Sequence, residues 1–172
     1  VPWLVAGALL AAPWVAMRLT DGVRWTGSDF AVAAVMLAAL AALVDRALAK
    51  PADRRWRAGV LIAATTGFVL LWGMLAVGLI HDADHPANLA VAAVLAGAAL
   101  GAIWARGAPR RLARVFGAVA AAQTLVAGLA VALGDVAGLL ASIALAGGWA
   151  LSAVLFRQAA SRPRQDPADI SP

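Results

Sequence analysis

The feature that most constrains this chain is its division into six apolar runs, 2–17, 29–48, 58–80, 86–104, 112–133 and 136–156, separated by short polar connectors. A hydrocarbon core about 30 Å thick is crossed by about 20 residues of α-helix, and the runs are close to that length. In lipid a backbone N–H or C=O has no water to bond, so each span must satisfy its own polar groups, as a helix does. The expected fold is an all-α integral membrane protein, a single bundle of about six transmembrane helices over residues 1–156, followed by a polar, mobile tail at 157–172. Composition agrees, since 63% of residues are apolar and 13% charged, more apolar surface than a soluble domain of this size needs. The first run is short, and its small-residue end resembles a cleaved leader. Trp3, Pro13 and Trp14, with no basic stretch before them, fit a retained span better.

The order of charges sets the expected threading. Counted along alternate connectors, one side receives Arg46, Lys50, Arg54, Arg55, Arg57, Arg106, Arg110, Arg111, Arg114, Arg157, Arg162 and Arg164, and the other only Arg18 and Arg24. Twelve of the fourteen basic residues on one side is a strong positive-inside signal, predicting that both termini are cytoplasmic. Asp21, Asp29, Asp82, Asp84 and Asp135 then fall on the outer face. A net charge of +5 would suggest nucleic acid in a soluble chain, but here the basic residues sit between spans, and no nucleic-acid partner is expected.

Local signals refine the boundaries. Ser28 or Asp29 is expected to cap the second span by accepting from its free amides. Pro86 lacks an amide proton and belongs in the first turn of the fourth span, with His85 as its N-cap. Gly134-Asp135 is a corner short enough to force the fifth and sixth spans to run antiparallel. Trp3, Trp25, Trp56 and Trp104 land near span ends, where an indole keeps its ring apolar and its N–H wet, whereas Trp72 and Trp149 read as packing residues. Ala93, Gly97, Gly101 and Ala105 recur at every fourth position of the fourth span, and this small-residue face is expected to lie against another helix of the same chain.

The polar octet 81–88 holds both histidines. His81, Asp82, Asp84 and His85 offer two imidazoles and two carboxylates to a metal such as zinc. Pro86 disfavours helical geometry at His85, so a solvated turn capping the fourth span is the favoured reading. Within the spans, Gln123 and Thr124 are the most polar adjacent pair, expected to bond between helices in preference to lining a pore. Thr65, Thr66, Ser142 and Ser152 are expected to bond to their own helix carbonyls. No charged residue lies mid-span, which argues against a pump relying on buried carboxylates. The chain has no cysteine, so disulfides, thiolate ligands and cysteine nucleophiles are excluded; no catalytic constellation is visible and no cofactor is predicted.

Several stretches carry a resemblance. Val15-Ala16-Met17-Arg18-Leu19-Thr20-Asp21-Gly22-Val23-Arg24-Trp25 with Asp29-Phe30, and Leu75-Ala76-Val77-Gly78-Leu79-Ile80 with Asp84-Pro86-Ala87-Asn88-Leu89, are two of them. Ala122-Gln123-Thr124-Leu125-Val126 and Leu151-Ser152-Ala153-Val154-Leu155-Phe156-Arg157 are two more. Together they resemble a family of uncharacterised small polytopic inner-membrane proteins of Gram-negative bacteria. The resemblance implies a bacterial inner membrane and no established activity. His81 and His85 depart from its pattern, which moves attention to Asp21, Trp25, Asp29, Asp84 and Asn88 as outer-face binding or interface residues. The leading expectation is a non-enzymatic accessory or assembly subunit, embedded in the lipid bilayer and contacting a protein partner or a second copy of itself. A small transporter or channel comes second, and a metal-dependent activity at the octet last.

Overall fold

Helix starts and stops follow the punctuation in the sequence. The computed structural model describes residues 1–20, 22, 24–49, 53–82 and 84–161. Their regular structure is six α-helices: α1 (Pro2–Leu19), α2 (Gly27–Ala49), α3 (Arg54–Ala76), α4 (Asn88–Ala105), α5 (Pro109–Ala132) and α6 (Val136–Ala160). All six are long and apolar enough to cross a membrane.

The boundaries differ from expectation where side chains intervene. The cap of α2 is Thr26, earlier than the expected Ser28 or Asp29. Its N–H donates to Asp29 Oδ2 at 2.7 Å, its hydroxyl donates to the same oxygen at 2.8 Å, and the Asp29 N–H reaches back to Thr26 Oγ1 at 3.4 Å. Asp29 is thus the reciprocal partner in a capping box. α3 starts at Arg54 because Asp53 accepts from the Arg55 N–H at 2.6 Å, and it stops at Ala76, well before Ile80. Gly78, at φ +78°, takes the chain out of the helix, and Ile80 is buried beneath the loop it belongs to. α4 begins at Asn88, two residues later than expected, since Pro86 and Ala87 form a tighter lead-in turn. His85 caps that turn by accepting from the Ala87 N–H on Nδ1 at 3.2 Å. α6 runs to Ala160, so the first residues of the expected tail are helical; 162–172 lie outside the described residues.

The helices pack in sequence-local pairs joined by one long-range seam. α1 lies on α2, α2 on α3, α3 on α6, α6 on α5 and α5 on α4, while α4 touches α3 lightly. The α3/α6 seam is built on small residues. A Cβ at Gly148 would collide with the Thr66 side chain, and one at Gly59 would sit 3.1 Å from the Phe156 ring. Ser152 Oγ, expected to bond within its own helix, instead donates to the Gly59 carbonyl across the seam at 2.9 Å. Thr66 does bond within its own helix, to the Ile62 carbonyl at 2.8 Å. Phe116 of α5 stacks on Trp149 and on Phe156, with ring centroids 5.5 and 5.7 Å apart, and closes the core from the third side. At the basic end, Trp56 Nε1 donates to the Gly107 carbonyl at 3.1 Å, tying the start of α3 to the α4–α5 connector.

The expected small-residue face of α4 is only half used. A Cβ at Gly101 would collide with Val115 of α5, whereas one at Gly97 would meet nothing within 4 Å. The residues α4 buries are Asn88, Val91, Val94, Ala98 and Ala105, of which only Ala105 belongs to the expected face. Gly101→Val should therefore destabilise the detergent-solubilised bundle by about 1–3 kcal/mol, as overpacking does. Gly97→Val should change stability by less than about 0.5 kcal/mol. Thermal or denaturant unfolding of the two variants side by side checks the difference.

Candidate functional site

At the end carrying the 77–87 loop, where α3 gives way to α4 and α5 turns into α6, side chains from two helix starts bond to the loop backbone. Asn88, buried at the start of α4, organises this loop. Its Oδ1 accepts from the Leu79 and Ile80 amides, both at 3.0 Å, and its Nδ2 donates to the Ile80 and Asp82 carbonyls at 3.3 and 2.9 Å. One side chain thus satisfies several loop backbone groups that no helix or strand could serve.

Asp135 holds the same loop from the other side. Oδ1 caps α6 by accepting from the Gly138 N–H at 2.9 Å, and Oδ2 accepts from the His81 N–H at 2.7 Å. His81 sits at φ +52°, a left-handed conformation that aims its amide at the carboxylate. Gly138 allows the approach: a Cβ there would lie 2.8 Å from the Leu79 carbonyl oxygen. The Gly138 amide, then the His81 amide, with a smaller contribution from the His81 side-chain charge, hold the Asp135 carboxyl below its usual value.

The four side chains of the last-ranked metal reading, His81, Asp82, Asp84 and His85, are not gathered around one point. The two imidazoles lie close, with ring centroids 5.0 Å apart, but His85 Nδ1 already accepts from Ala87, and Asp82 and Asp84 are exposed on the turn. Among the described residues no group of three or more potential ligands is gathered for a metal ion. The left-handed turn at His81 and the Pro86 lead-in spread the four side chains along the loop.

Of the other expected outer-face residues, Trp25 and Asp29 are engaged locally. Trp25 packs edge-on against Phe30 at 5.2 Å and lies 5.6 Å from Trp72, which stacks on Phe68 at 6.0 Å. The cluster ties the α1–α2 connector to α2 and α3. Trp72, expected inside the packing, is 36% exposed. Asp29 is held by Thr26, Asp84 faces solvent, and Asp21 lies outside the described residues.

Gln123 and Thr124 do not act as a pair, because neighbouring helical positions point about 100° apart. Thr124 is exposed and donates to the Ala120 carbonyl at 2.9 Å. Gln123 is fully buried, and neither of its side-chain polar atoms has a partner, so the expected interhelical bond is not made. Ser142 Oγ and the Trp149 indole nitrogen are buried in the same state. Between α2, α3 and α4 lies an apolar cleft of about 310 Å³, lined by residues such as Leu40, Phe68 and Leu95, with Phe116, Trp149 and Phe156 as its floor. Its walls suit alkyl groups and offer a polar solute nothing.

Sequence reasoning missed three long-range bonds: Asp135 to the His81 amide, Ser152 to the Gly59 carbonyl and Trp56 to the Gly107 carbonyl. An Asp before a helix announces a cap, and that much was readable. Its second acceptor oxygen reaching 54 residues back was not.

The fold and its polar end define a class: a helical bundle with six candidate membrane spans and a cross-braced loop at one end. Comparison with family models, curated proteins and solved structures finds no match to this chain.

Asn88→Ala leaves buried loop amides without an acceptor and should destabilise the protein by about 2 kcal/mol or more, with faster hydrogen exchange at Leu79 and Ile80. The pH dependence at Asp135 has a definite sign. A carboxyl whose folded pKa is depressed contributes stability that is present above the unfolded value, near 3.8, and is lost as pH falls through the folded value. Asp135→Asn should flatten the acid limb of the stability profile, measured by unfolding between about pH 2 and 6.

Proposed function

We propose that this protein is a non-enzymatic accessory or assembly subunit of a bacterial inner membrane, acting through helix contacts with a protein partner or a second copy of itself. The observation that carries the reading is α1. It is long enough to span, packs on α2, and buries none of its residues within the chain. In a bilayer an apolar helix gains little from contact with another apolar helix unless the two fit closely, so a span left with open flanks is suited to a contact supplied by another chain. The polar end supports the same reading: Asn88 and Asp135 bond to backbone, a structural use of both side chains.

Both termini facing the cytoplasm follows from the positive-inside rule applied to the basic residues of alternate connectors. Reporter fusions after Phe156 and within the 81–88 loop should give cytoplasmic and external signals respectively. Extraction into polymer-bounded lipid discs, followed by native mass spectrometry, should yield a defined oligomer or a stoichiometric partner; a lone monomer across several lipid compositions would overturn the assembly reading.

A second reading, a small transporter or channel, is favoured by one observation, the unpartnered polar atoms of Gln123 and Ser142 in the core. Intramembrane polar groups commonly face a solute path. Flux of small polar solutes into proteoliposomes, abolished by Gln123→Leu, is its expected signature; no flux across a broad solute panel removes it.

A further inference from the structure

The basic end of α5 and α6 carries a charge arrangement that no acidic side chain among the described residues is shown to balance. Arg110 and Arg114 of α5 and Arg157 of α6 surround a pocket of about 370 Å³, whose remaining lining is Ala113, Gly117 and Ala160. Arg110 and Arg114 stand one helical turn apart, a like-charge pair that opposes helix formation. They also sit in the first turns of α5, at the positive end of its dipole. Asp53 caps α3 and Asp135 caps α6, whereas α5, like α1 and α4, has no side-chain cap bond and no acidic residue in its first turn; unlike those two, it places arginines there. The described aspartates of this end are Asp45, on α2, and Asp53, already bonded to the Arg55 amide. Arg111 is turned away over the Trp104 ring, 5.2 Å from its centroid, so the three pocket arginines are set apart even from their immediate basic neighbour.

Threading alone requires basic residues at this end but not their convergence on one pocket from two helices. Three guanidinium groups around a small-residue floor present paired N–H donors at the spacing of phosphate oxygens. Directly below, Val154 and Leu151 of α6 are exposed apolar side chains, 43% and 50% accessible. We infer that the Arg110, Arg114 and Arg157 pocket binds the phosphate-bearing headgroup of an anionic phospholipid, whose acyl chains run down the apolar flank of α6. The headgroup supplies the counter-charge that α5 lacks. Only the membrane-spanning reading is needed: the site serves the leaflet at this end of the bundle whichever side that is, and whether or not the protein assembles with others.

The test uses the full chain in discs of equal phosphatidylglycerol and phosphatidylcholine, with retained lipid counted by native mass spectrometry. Wild type should retain phosphatidylglycerol over phosphatidylcholine by about tenfold or more. The triple substitution Arg110→Gln, Arg114→Gln, Arg157→Gln should abolish the preference, and Arg114→Gln alone should reduce it about threefold. A control with Arg46→Gln, Arg54→Gln and Arg55→Gln, the same charge change at the same end, should keep it. No preference in wild type, or an equal loss in the control, overturns the proposal. Displacement of the lipid by millimolar inorganic phosphate would show a free-phosphate site and overturn the lipid assignment.

Discussion

The bundle depends on how closely α3 and α6 can approach. Lipid is as apolar as leucine, so apolar side chains alone give two spans no reason to meet, and association rests on contact at short range and hydrogen bonds across the gap. Gly148 opens room for Thr66, Gly59 opens room for the Phe156 ring, and Ser152 bonds the Gly59 carbonyl that this approach exposes. Trp149 and Phe156 are then held against Phe116, which draws α5 onto the pair. α4 joins through Gly101 and Val115. α2 and α1 are added from the α3 side, and α1, furthest from the seam, buries nothing.

The two ends of the bundle manage polar groups in opposite ways. At the loop end the backbone is irregular, and Asn88 and Asp135 supply acceptors and donors that water would otherwise provide. The result is a cross-brace: Asn88 ties the loop to α4, Asp135 ties it to α6, and the α3–α4 and α5–α6 connections become one unit. At the basic end the α4–α5 connector turns through left-handed residues at Arg106 and Gly107, and the Gly107 carbonyl is satisfied by the Trp56 indole. There the charges face outward.

Gln123, with Ser142 and Trp149, departs from this pattern of paired polar groups. A fully buried amide with no partner is destabilising in any apolar interior, and it sits in the helix pair that packs most extensively. Its presence distinguishes the core from a purely apolar one and is the reason a transport reading keeps a foothold beside the structural one.

Much of the fold was legible because a bilayer imposes a length and a polarity on each segment. The run lengths determined the number of spans, the basic residues marked one end, and Gly134-Asp135 forced the last hairpin. Boundaries shifted where a side chain outbid composition: Thr26 and Asp53 started helices early, and Gly78 ended α3 while apolar residues continued to Ile80. The polar octet was readable as a turn from Pro86 alone, but not as a brace, because its main anchors depend on which helix ends meet. The same limit applies to the GxxxG pair, where spacing marked Gly97 and Gly101 as equals and the crossing of α4 with α5 used only Gly101. Sequence by itself determined how many times the chain can cross and what each crossing is made of, because those follow from local hydrophobicity. Tertiary structure alone decided which small residues are contacts, which polar groups are paired and where three arginines converge, because each depends on side chains brought together from distant positions.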